Sequence, residues 1–255
     1  TKEGETACGD TCSVVRIDER TFLCALSDGM GSGEYARRIS DCSLSLIESL
    51  YRAGLDGDTV LSAVNRLLAF NREESFACAD IATVNLDTGR ADIVKIGSPV
   101  GFILREDRLE ALEGDSLPLG ILDAVRPTVL SRDLNDGDVL VFLSDGITAA
   151  FGSSADIADF LGTMRLTNPQ AVADDLLAGA LNRTGGNAPD DMTVLAVRIL
   201  RAEDTAAETC GALSIPTPKK LSANMENLPF PRYNRIAAGK NGRKTWTYFN
   251  FSPTS

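Results

Sequence analysis

Short apolar segments separated by turn sequences limit the folds open to this 255-residue chain more than anything else in it. Two such segments lie within residues 14–26, on either side of a charged turn. The other predicted strands are 81–86, 91–96, 100–105, 109–112, 128–131, 139–143 and 192–199. Strands this short and this closely spaced favour antiparallel pairing. We therefore expect antiparallel sheets rather than the regular strand–helix alternation of a parallel sheet.

Two helices are predicted between the first strands and the rest. Apolar residues recur at helical spacing from residue 33 until Gly54, which is typical of a helix end. A second amphipathic segment can be capped by Asp58 or Thr59 and is expected to end near Asn71. We expect the two helices to form a hairpin.

A second group of helices is predicted after the last central strand. Residues 155–161 have a short helical pattern, and Asn168 followed by Pro169 is typical of an N-cap and a first helical position. Helix pairs between runs of antiparallel strands indicate an α+β fold. The predicted architecture is an αββα sandwich, in which two antiparallel sheets are flanked by helix pairs.

The apolar periodicity that predicts strands and helices ends near residue 200. We expect residues 1–200 to form one domain, with the helix pair at 33–72. Residues 201–255 hold five of the ten prolines and the only tryptophan, with little periodicity. We expect that segment to be a C-terminal tail or a peripheral extension; its aromatic residues leave open an anchored arrangement on the domain or on a neighbouring chain.

Composition excludes several kinds of function. The chain has no histidine, which removes Ser-His-Asp hydrolysis and imidazole metal sites. Its six cysteines include no C-x-x-C pair, which argues against a zinc ribbon or a thioredoxin-type site. The net charge of −11 argues against nucleic-acid binding. The longest strongly apolar stretch, 139–143, is too short to span a bilayer, so we expect a cytoplasmic chain with any membrane anchor outside it.

Acidic residues stand where predicted strands meet loops. Asp28 and Asp145 each end an apolar strand and are followed by glycine, and Asp190 precedes the last strand. Asp10 supplies a fourth carboxylate at the start of the first strand, and the Gly29 carbonyl is a further oxygen donor. Oxygen ligands without imidazole or thiolate select Mg²⁺, Mn²⁺ or Ca²⁺. These five residues are the candidate metal ligands.

Turns are the alternative explanation for Asp-Gly pairs. We expect Asp56-Gly57 and residues 135–138 to be turns, because neither follows a strongly apolar strand. For Asp191, next to the candidate ligand Asp190, we expect a solvated loop acid.

Six motifs, in this order along the chain, resemble those of the metal-dependent protein phosphatases (PPM, type 2C). They are Gly9-Asp10, the S-D-G-M-G-S-G run at 27–33, K-I-G-S at 95–98, L-P-L-G at 117–120, S-D-G at 144–146 and D-D-M-T at 190–193. Within that family the sequences of these motifs are most similar to those of the phosphatase domain of stage II sporulation protein E. The resemblance extends from about residue 6 to residue 200.

The resemblance implies a chemistry. It implies two Mn²⁺ or Mg²⁺ ions and hydrolysis of a phosphoserine protein by a metal-activated water, with Asp28, Asp145 and Asp190 as the catalytic residues. Asp28 would bridge both ions with help from the Gly29 carbonyl, Asp145 and Asp190 would complete one ion's shell, and Asp10 would assist. Such a mechanism needs neither histidine nor a reactive cysteine.

One position departs from the family pattern. Eukaryotic-type members carry an acidic residue where this chain has Gly9, which predicts weak binding of the second ion. No arginine stands at an obvious phosphate-binding position either, which makes recognition dependent on the partner protein's surface. By resemblance, residues 33–72 would switch activity.

Other functions stay open at this point. By resemblance the substrate would be an anti-sigma-factor antagonist phosphorylated on serine, in sporulation or stress signalling. The main alternative is a catalytically silent scaffold of the same fold that binds a partner protein through the helix pair. An ATP-lid motif at residues 28–33 is a weaker alternative, since it leaves Asp145 and Asp190 unexplained. The sequence leaves open whether the chain is a homodimer.

Overall fold

The structure is a computed structural model that describes residues 1–70, 75–106, 108–164 and 168–200. The predicted tail at 201–255 lies outside these residues. No helix in the described part of the chain is long and apolar enough to cross a membrane.

The strands and helices follow the predicted order with one addition. In chain order they are β1 (Asp10–Arg16), β2 (Thr21–Gly29), α1 (Gly33–Arg52), α2 (Gly57–Ala69), β3 (Ala77–Asn85), β4 (Arg90–Ile96), β5 (Gly101–Leu104), β6 (Leu109–Leu112), β7 (Thr128–Asp133), β8 (Val139–Leu143), α3 (Asp145–Phe151), α4 (Ser154–Gly162), α5 (Pro169–Arg183) and β9 (Val194–Arg198).

The strands form two sheets in which every pair of neighbours is antiparallel, as predicted. One sheet has the order β1-β2-β3-β4-β7 and the other has the order β6-β5-β8-β9. Strand β4 ends in the first sheet and β5 begins in the second, so residues 97–100 cross from one layer to the other.

Strand alternation divides the apolar side chains among three layers of packing. Between the sheets lie residues such as Leu26, Ile93 and Phe142. The outer face of the first sheet packs against α1 and α2, and the outer face of the second packs against α3, α4 and α5. The result is the predicted αββα sandwich. Each fully buried leucine-sized side chain contributes about 1.5–3 kcal/mol to its stability.

The start of α2 differs from the prediction. Neither Asp58 nor Thr59 caps the helix; the side chain of Asp56 does, accepting a hydrogen bond from the Thr59 backbone N–H at 3.0 Å. Asp56 has an extended backbone, which aims its carboxylate back at the first turn, so Asp56-Gly57 is a helix start and not a free-standing turn. The helix ends at Ala69; the predicted end at Asn71 lies outside the described residues.

Helix α3 was not predicted. It has only seven residues and begins at Asp145, where the sequence indicated a loop. Two apolar residues, Ile147 and Phe151, lie one turn apart and are buried in the core of the second sheet, which is too short a pattern to detect by periodicity. At α5 the predicted cap is confirmed: Asn168 accepts from the Gln170 N–H at 2.8 Å, and Pro169 is the first helical residue.

Replacing Asp56 with Ala is expected to lower the melting temperature by about 2–4 °C, because one helix cap is lost. Asp58→Ala is the matched control, since it removes an acid of the same first turn that does not cap. Thermal unfolding followed by circular dichroism checks this. An equal or larger loss in Asp58→Ala would contradict the observed cap.

Candidate metal centre

Backbone pairing brings the first two candidate ligands together. Asp10 begins β1 and Asp28 lies near the end of β2, and the two residues are direct partners in the antiparallel register. Both share strand parity with residues of the inter-sheet core, Cys12 and Leu26. Their carboxylates therefore lie where the space between the sheets opens at one end. Asp10 is buried and Asp28 is partly buried.

Hydrogen bonds around Ser144 bring the other two ligands to the same end. Its backbone N–H donates to the Thr193 carbonyl at 3.0 Å, and its hydroxyl accepts from the Thr193 N–H at 2.8 Å. The hydroxyl in turn donates to the Asp191 carbonyl at 3.2 Å. These contacts join the end of β8 to the segment before β9. Asp145 and Asp190 are thereby placed on the same side of the site.

Close backbone contacts explain the glycines that follow Asp28 and Asp145. A Cβ on Gly29 would lie 2.0 Å from the Ala36 carbonyl oxygen, and a Cβ on Gly146 would lie 2.1 Å from the Asp191 carbonyl oxygen. Real Cβ atoms do not approach oxygen so closely. The sequence predicted glycine for a tight turn; the structure adds that each glycine lets a neighbouring segment pack directly on the site.

The carboxyl groups raise one another's pKa values. Burial raises the pKa of Asp28 to about 8, with further increases from the charges of Asp10, Asp145 and Asp190. Burial also raises the pKa of Asp10 to about 6, although hydrogen bonds from the side chains of Thr193 and Ser144 act to lower it. For Asp145 burial and the Asp190 charge raise the pKa. Four carboxyl groups from separate segments thus lie close enough to interact electrostatically.

Such a cluster can relieve its repulsion by holding protons or by binding cations. Among the described residues, no three acidic or cysteine side chains already surround one point as a closed metal cage does. Asp28 is instead within hydrogen-bonding contact of Asp10 on one side and Asp145 on the other. Mg²⁺ keeps several waters and binds through one or two carboxylates, so paired carboxylates at an open edge fit it and fit Mn²⁺.

Asp191 differs from the prediction. It is 8% exposed and not a solvated loop acid. Its carboxylate accepts from the Gly9 N–H at 2.7 Å and from the Lys2 N–H at 2.8 Å, and its own N–H donates to the Asp190 carboxylate at 3.0 Å. A buried carboxylate needs such donors. Asp191 therefore holds the segment that leads into Asp10.

Gly9, where the chain departs from the family pattern, lies in a tightly packed place. A Cβ there would lie 3.0 Å from the Ala36 Cβ and 3.2 Å from the Asp191 carboxylate. The Gly9 carbonyl also accepts from the Gly29 N–H at 3.2 Å. An acidic side chain at this position would have to displace its neighbours and would meet a second negative charge.

A cleft of about 640 Å³ opens beside the carboxylates. The crossover segment 98–100 lines one part of it, and the start of α3 and the turn before α4 line another. Asp145 and Asp190 line it together with Glu113. Sequence reasoning did not identify this cleft, because its walls come from segments far apart in the chain.

The fold and the carboxylate edge define the class of protein. The structure superimposes with a TM-score of 0.70 on the PP2C phosphatase domain of the cell fate determinant SpoIIE from Bacillus subtilis, at 28% identity, covering 76% of this chain and 59% of that one. The fold is therefore that of the PP2C phosphatases. The family model "Stage II sporulation protein E (SpoIIE)" matches residues 18–200, and the chain belongs to this family.

Two relatives show the extent of the likeness. Stage II sporulation protein E of Bacillus subtilis (strain 168) is 29% identical over 206 residues, which are 78% of this chain but only 24% of that protein. Phosphoserine phosphatase RsbX of the same organism is 30% identical over 103 residues, 40% of this chain and 48% of RsbX. A crystal structure of RsbX in complex with magnesium has the same fold, with a TM-score of 0.58 at 22% identity, covering 76% of this chain and 88% of that one. The family resemblance is confirmed, and the chain spans about a quarter of the SpoIIE relative.

Replacing Asp190 with Ala and replacing Asp191 with Ala are expected to change the free energy of unfolding by different amounts. Asp191→Ala removes the acceptor of a buried backbone N–H and should lower the free energy of unfolding by about 1–3 kcal/mol. Asp190→Ala, whose side chain is 48% exposed, should change it by less than about 0.5 kcal/mol. Urea unfolding in excess chelator measures both. Equal losses in the two variants would contradict the assigned difference.

The metal-free protein should become less stable as the pH rises. Asp10 and Asp28 bind protons more tightly in the folded state, with pKa values of about 6 and about 8 against an ordinary 3.8. Their contribution to the free energy of unfolding is fully present below about pH 4, and it is lost as the pH rises through their folded-state pKa values.

Asp28→Asn is expected to reduce that loss, raising the free energy of unfolding at pH 8 without metal by about 1 kcal/mol or more, since one pKa unit corresponds to about 1.4 kcal/mol. Chelated samples unfolded in urea from pH 5 to pH 8.5 provide the measurement. Asp159→Asn, an exposed acid on α4, is the control. A variant that keeps the wild-type pH slope would show that Asp28 is not the titrating group.

Proposed function

We propose that this chain is a metal-dependent protein serine/threonine phosphatase. The observation that carries the proposal is the convergence of Asp10, Asp28, Asp145 and Asp190 at one end of a PP2C fold, each from a different segment. Burial, together with the charges of Asp10, Asp145 and Asp190, raises the pKa of Asp28 to about 8, and bound cations would relieve the repulsion within this cluster.

The positions of the carboxylates support a division of roles. Asp28 interacts with all three of the others and is the residue suited to bridge two Mn²⁺ or Mg²⁺ ions, with the Gly29 carbonyl beside it. Asp145 and Asp190, whose charges interact, would complete the shell of one ion, and the buried Asp10 would assist. Two such ions, when bound, supply a nucleophilic water at neutral pH and neutralise charge on the phosphoryl oxygens.

The chain's own residues prepare the site for this chemistry. Asp28 must give up its proton when ions bind, so binding strengthens as the pH rises. Thr148, Ser153 and Ser154 line the cleft; the Thr148 hydroxyl donates to the Asp145 carbonyl, and the Ser153 hydroxyl caps α4. No arginine or lysine of the described residues lines this cleft. Neutralising the phosphate would therefore depend on the ions rather than on protein cations.

The substrate we propose is a phosphoserine on a protein. The cleft beside Asp145 is open to solvent, as an extended segment of a folded partner requires. The relative RsbX is named a phosphoserine phosphatase. An anti-sigma-factor antagonist in sporulation or stress signalling is the specific substrate we propose, in the cytoplasm. The free thiols of the described cysteines suit a reducing compartment.

Mn²⁺-dependent release of phosphate tests the proposal. With a serine-phosphorylated antagonist protein and with para-nitrophenyl phosphate, activity should require Mn²⁺ or Mg²⁺ and disappear in excess chelator. Asp28→Ala and Asp145→Ala should each lower kcat/KM by about 100-fold or more, because each removes an ion ligand. Calorimetric Mn²⁺ titration of the same variants should show weakened binding.

Asp159→Ala, which removes an exposed acid distant from the cluster in sequence, is the control and should keep wild-type activity. Full activity in excess chelator, or wild-type rates in both ligand variants, would refute the proposal. If the chain binds the antagonist but neither binds Mn²⁺ nor releases phosphate, the catalytically silent scaffold explains its function better.

A further inference from the structure

A buried ion pair lies between the two sheets and has no part in the carboxylate cluster described above. Lys95 Nζ is 2.6 Å from Asp80 Oδ1, and both side chains are 0% exposed. The two residues are direct partners across β3 and β4. Lys95 Nζ also lies 5.8 Å from the centre of the Phe142 ring, in the inter-sheet core.

Stability does not account for this pair. Removing two charges from water costs several kcal/mol per ion, and apolar residues of similar volume are often equally or more stabilising. The neighbouring positions on the same face of these strands, Ala82 and Ile93, are apolar. Burial raises the pKa of Asp80 although Lys95 and Ser98 act to lower it. The attraction therefore does not fully offset the loss of hydration.

The pair is bonded to the segment that crosses from one sheet to the other. The Ser98 hydroxyl donates to Asp80 Oδ1 at 2.7 Å, and Lys95 Nζ donates to the Pro99 carbonyl. At the start of the crossover, the Gly97 N–H donates to the Ser116 carbonyl at 3.0 Å. Both charges of the pair thus hold consecutive residues of the crossover.

The same crossover forms one wall of the candidate substrate cleft. Ser98, Pro99 and Val100 line it together with the start of α3, Asp145 and Asp190. A displacement of this wall would change the width of the cleft without touching a carboxylate of the cluster. In catalysis, a misplacement of about 1 Å can cost about 100-fold in rate.

We propose that Asp80 and Lys95 are positioning residues that fix the 98–100 wall of the substrate cleft relative to Asp145. This rests on the proposed phosphatase function for its catalytic consequence. The pair acts on substrate placement and not on the ions. Its loss raises KM for a phosphoprotein and leaves Mn²⁺ affinity unchanged.

The double variant Asp80→Leu/Lys95→Met tests this, because it replaces the pair with apolar groups and leaves no buried charge alone. We expect a melting temperature within a few degrees of wild type. KM for the phosphoprotein should rise about tenfold or more, with calorimetric Mn²⁺ affinity within about threefold of wild type. Hydrogen exchange at residues 98–101 should become faster.

Ser98→Ala provides a second test should the double variant fail to fold, since it leaves the ion pair in place and removes only its bond to the wall. We expect KM to rise about threefold, the effect of losing one net hydrogen bond. Ser131→Ala is the matched control: its hydroxyl donates to Asp92 in the same sheet at 2.5 Å, outside the cleft.

The outcomes are distinguishable. Wild-type KM and wild-type exchange in the double variant, or in Ser98→Ala if the double variant does not fold, overturn the positioning role. Weakened Mn²⁺ binding in parallel with lost activity also overturns it, because the pair would then act on the metal centre. An inactive wild-type protein refutes the phosphatase proposal, while hydrogen exchange still decides whether the pair holds the wall.

Discussion

The antiparallel pairing of β1 with β2 is the constraint on which the candidate site depends. It places Asp10 directly opposite Asp28 and turns both carboxylates toward the opening between the sheets. A slip of one residue in this register would move Asp28 to the opposite face of its sheet, among the apolar side chains of α1 and α2. The repulsion between these carboxylates is therefore imposed by backbone hydrogen bonds.

Hydrogen bonds between side chains and the backbone assemble the other half of the site. Ser144 joins the end of β8 to the segment before β9, and Asp191 joins that segment to Gly9. Each bond ends on a residue next to a candidate ligand rather than on the ligand itself. Asp10 and Asp145 are thus positioned mainly through their neighbours, whereas one oxygen of Asp190 itself accepts from the Asp191 N–H. Close packing at Gly29 and Gly146 completes the arrangement.

Two kinds of buried charge lie close to the site and have different consequences. The carboxylates at the open edge repel one another, so cations would stabilise them. The Asp80–Lys95 pair is already neutralised and is bonded to the wall of the cleft. This chain therefore combines a cluster of carboxylates that repel one another with a neutralised ion pair bonded to the residues that line the cleft. Only the first of these was assigned a role from the sequence, although Lys95 and Ser98 both lie in the K-I-G-S motif at 95–98.

The sequence by itself determined the αββα class and most strands to within a few residues, because the spacing of apolar residues along a strand or helix is a local pattern. It also identified the candidate ligands, because Asp followed by Gly at the end of a strand is visible locally. It did not predict α3 or the cap at Asp56, since seven residues carry too little periodicity and neighbouring acids compete for one cap. The burial of Asp191 and the Asp80–Lys95 pair were decided only in three dimensions. Asp191 meets Gly9 across almost the whole length of the domain, and Asp80 meets Lys95 only when β3 pairs with β4, so no local pattern records either contact.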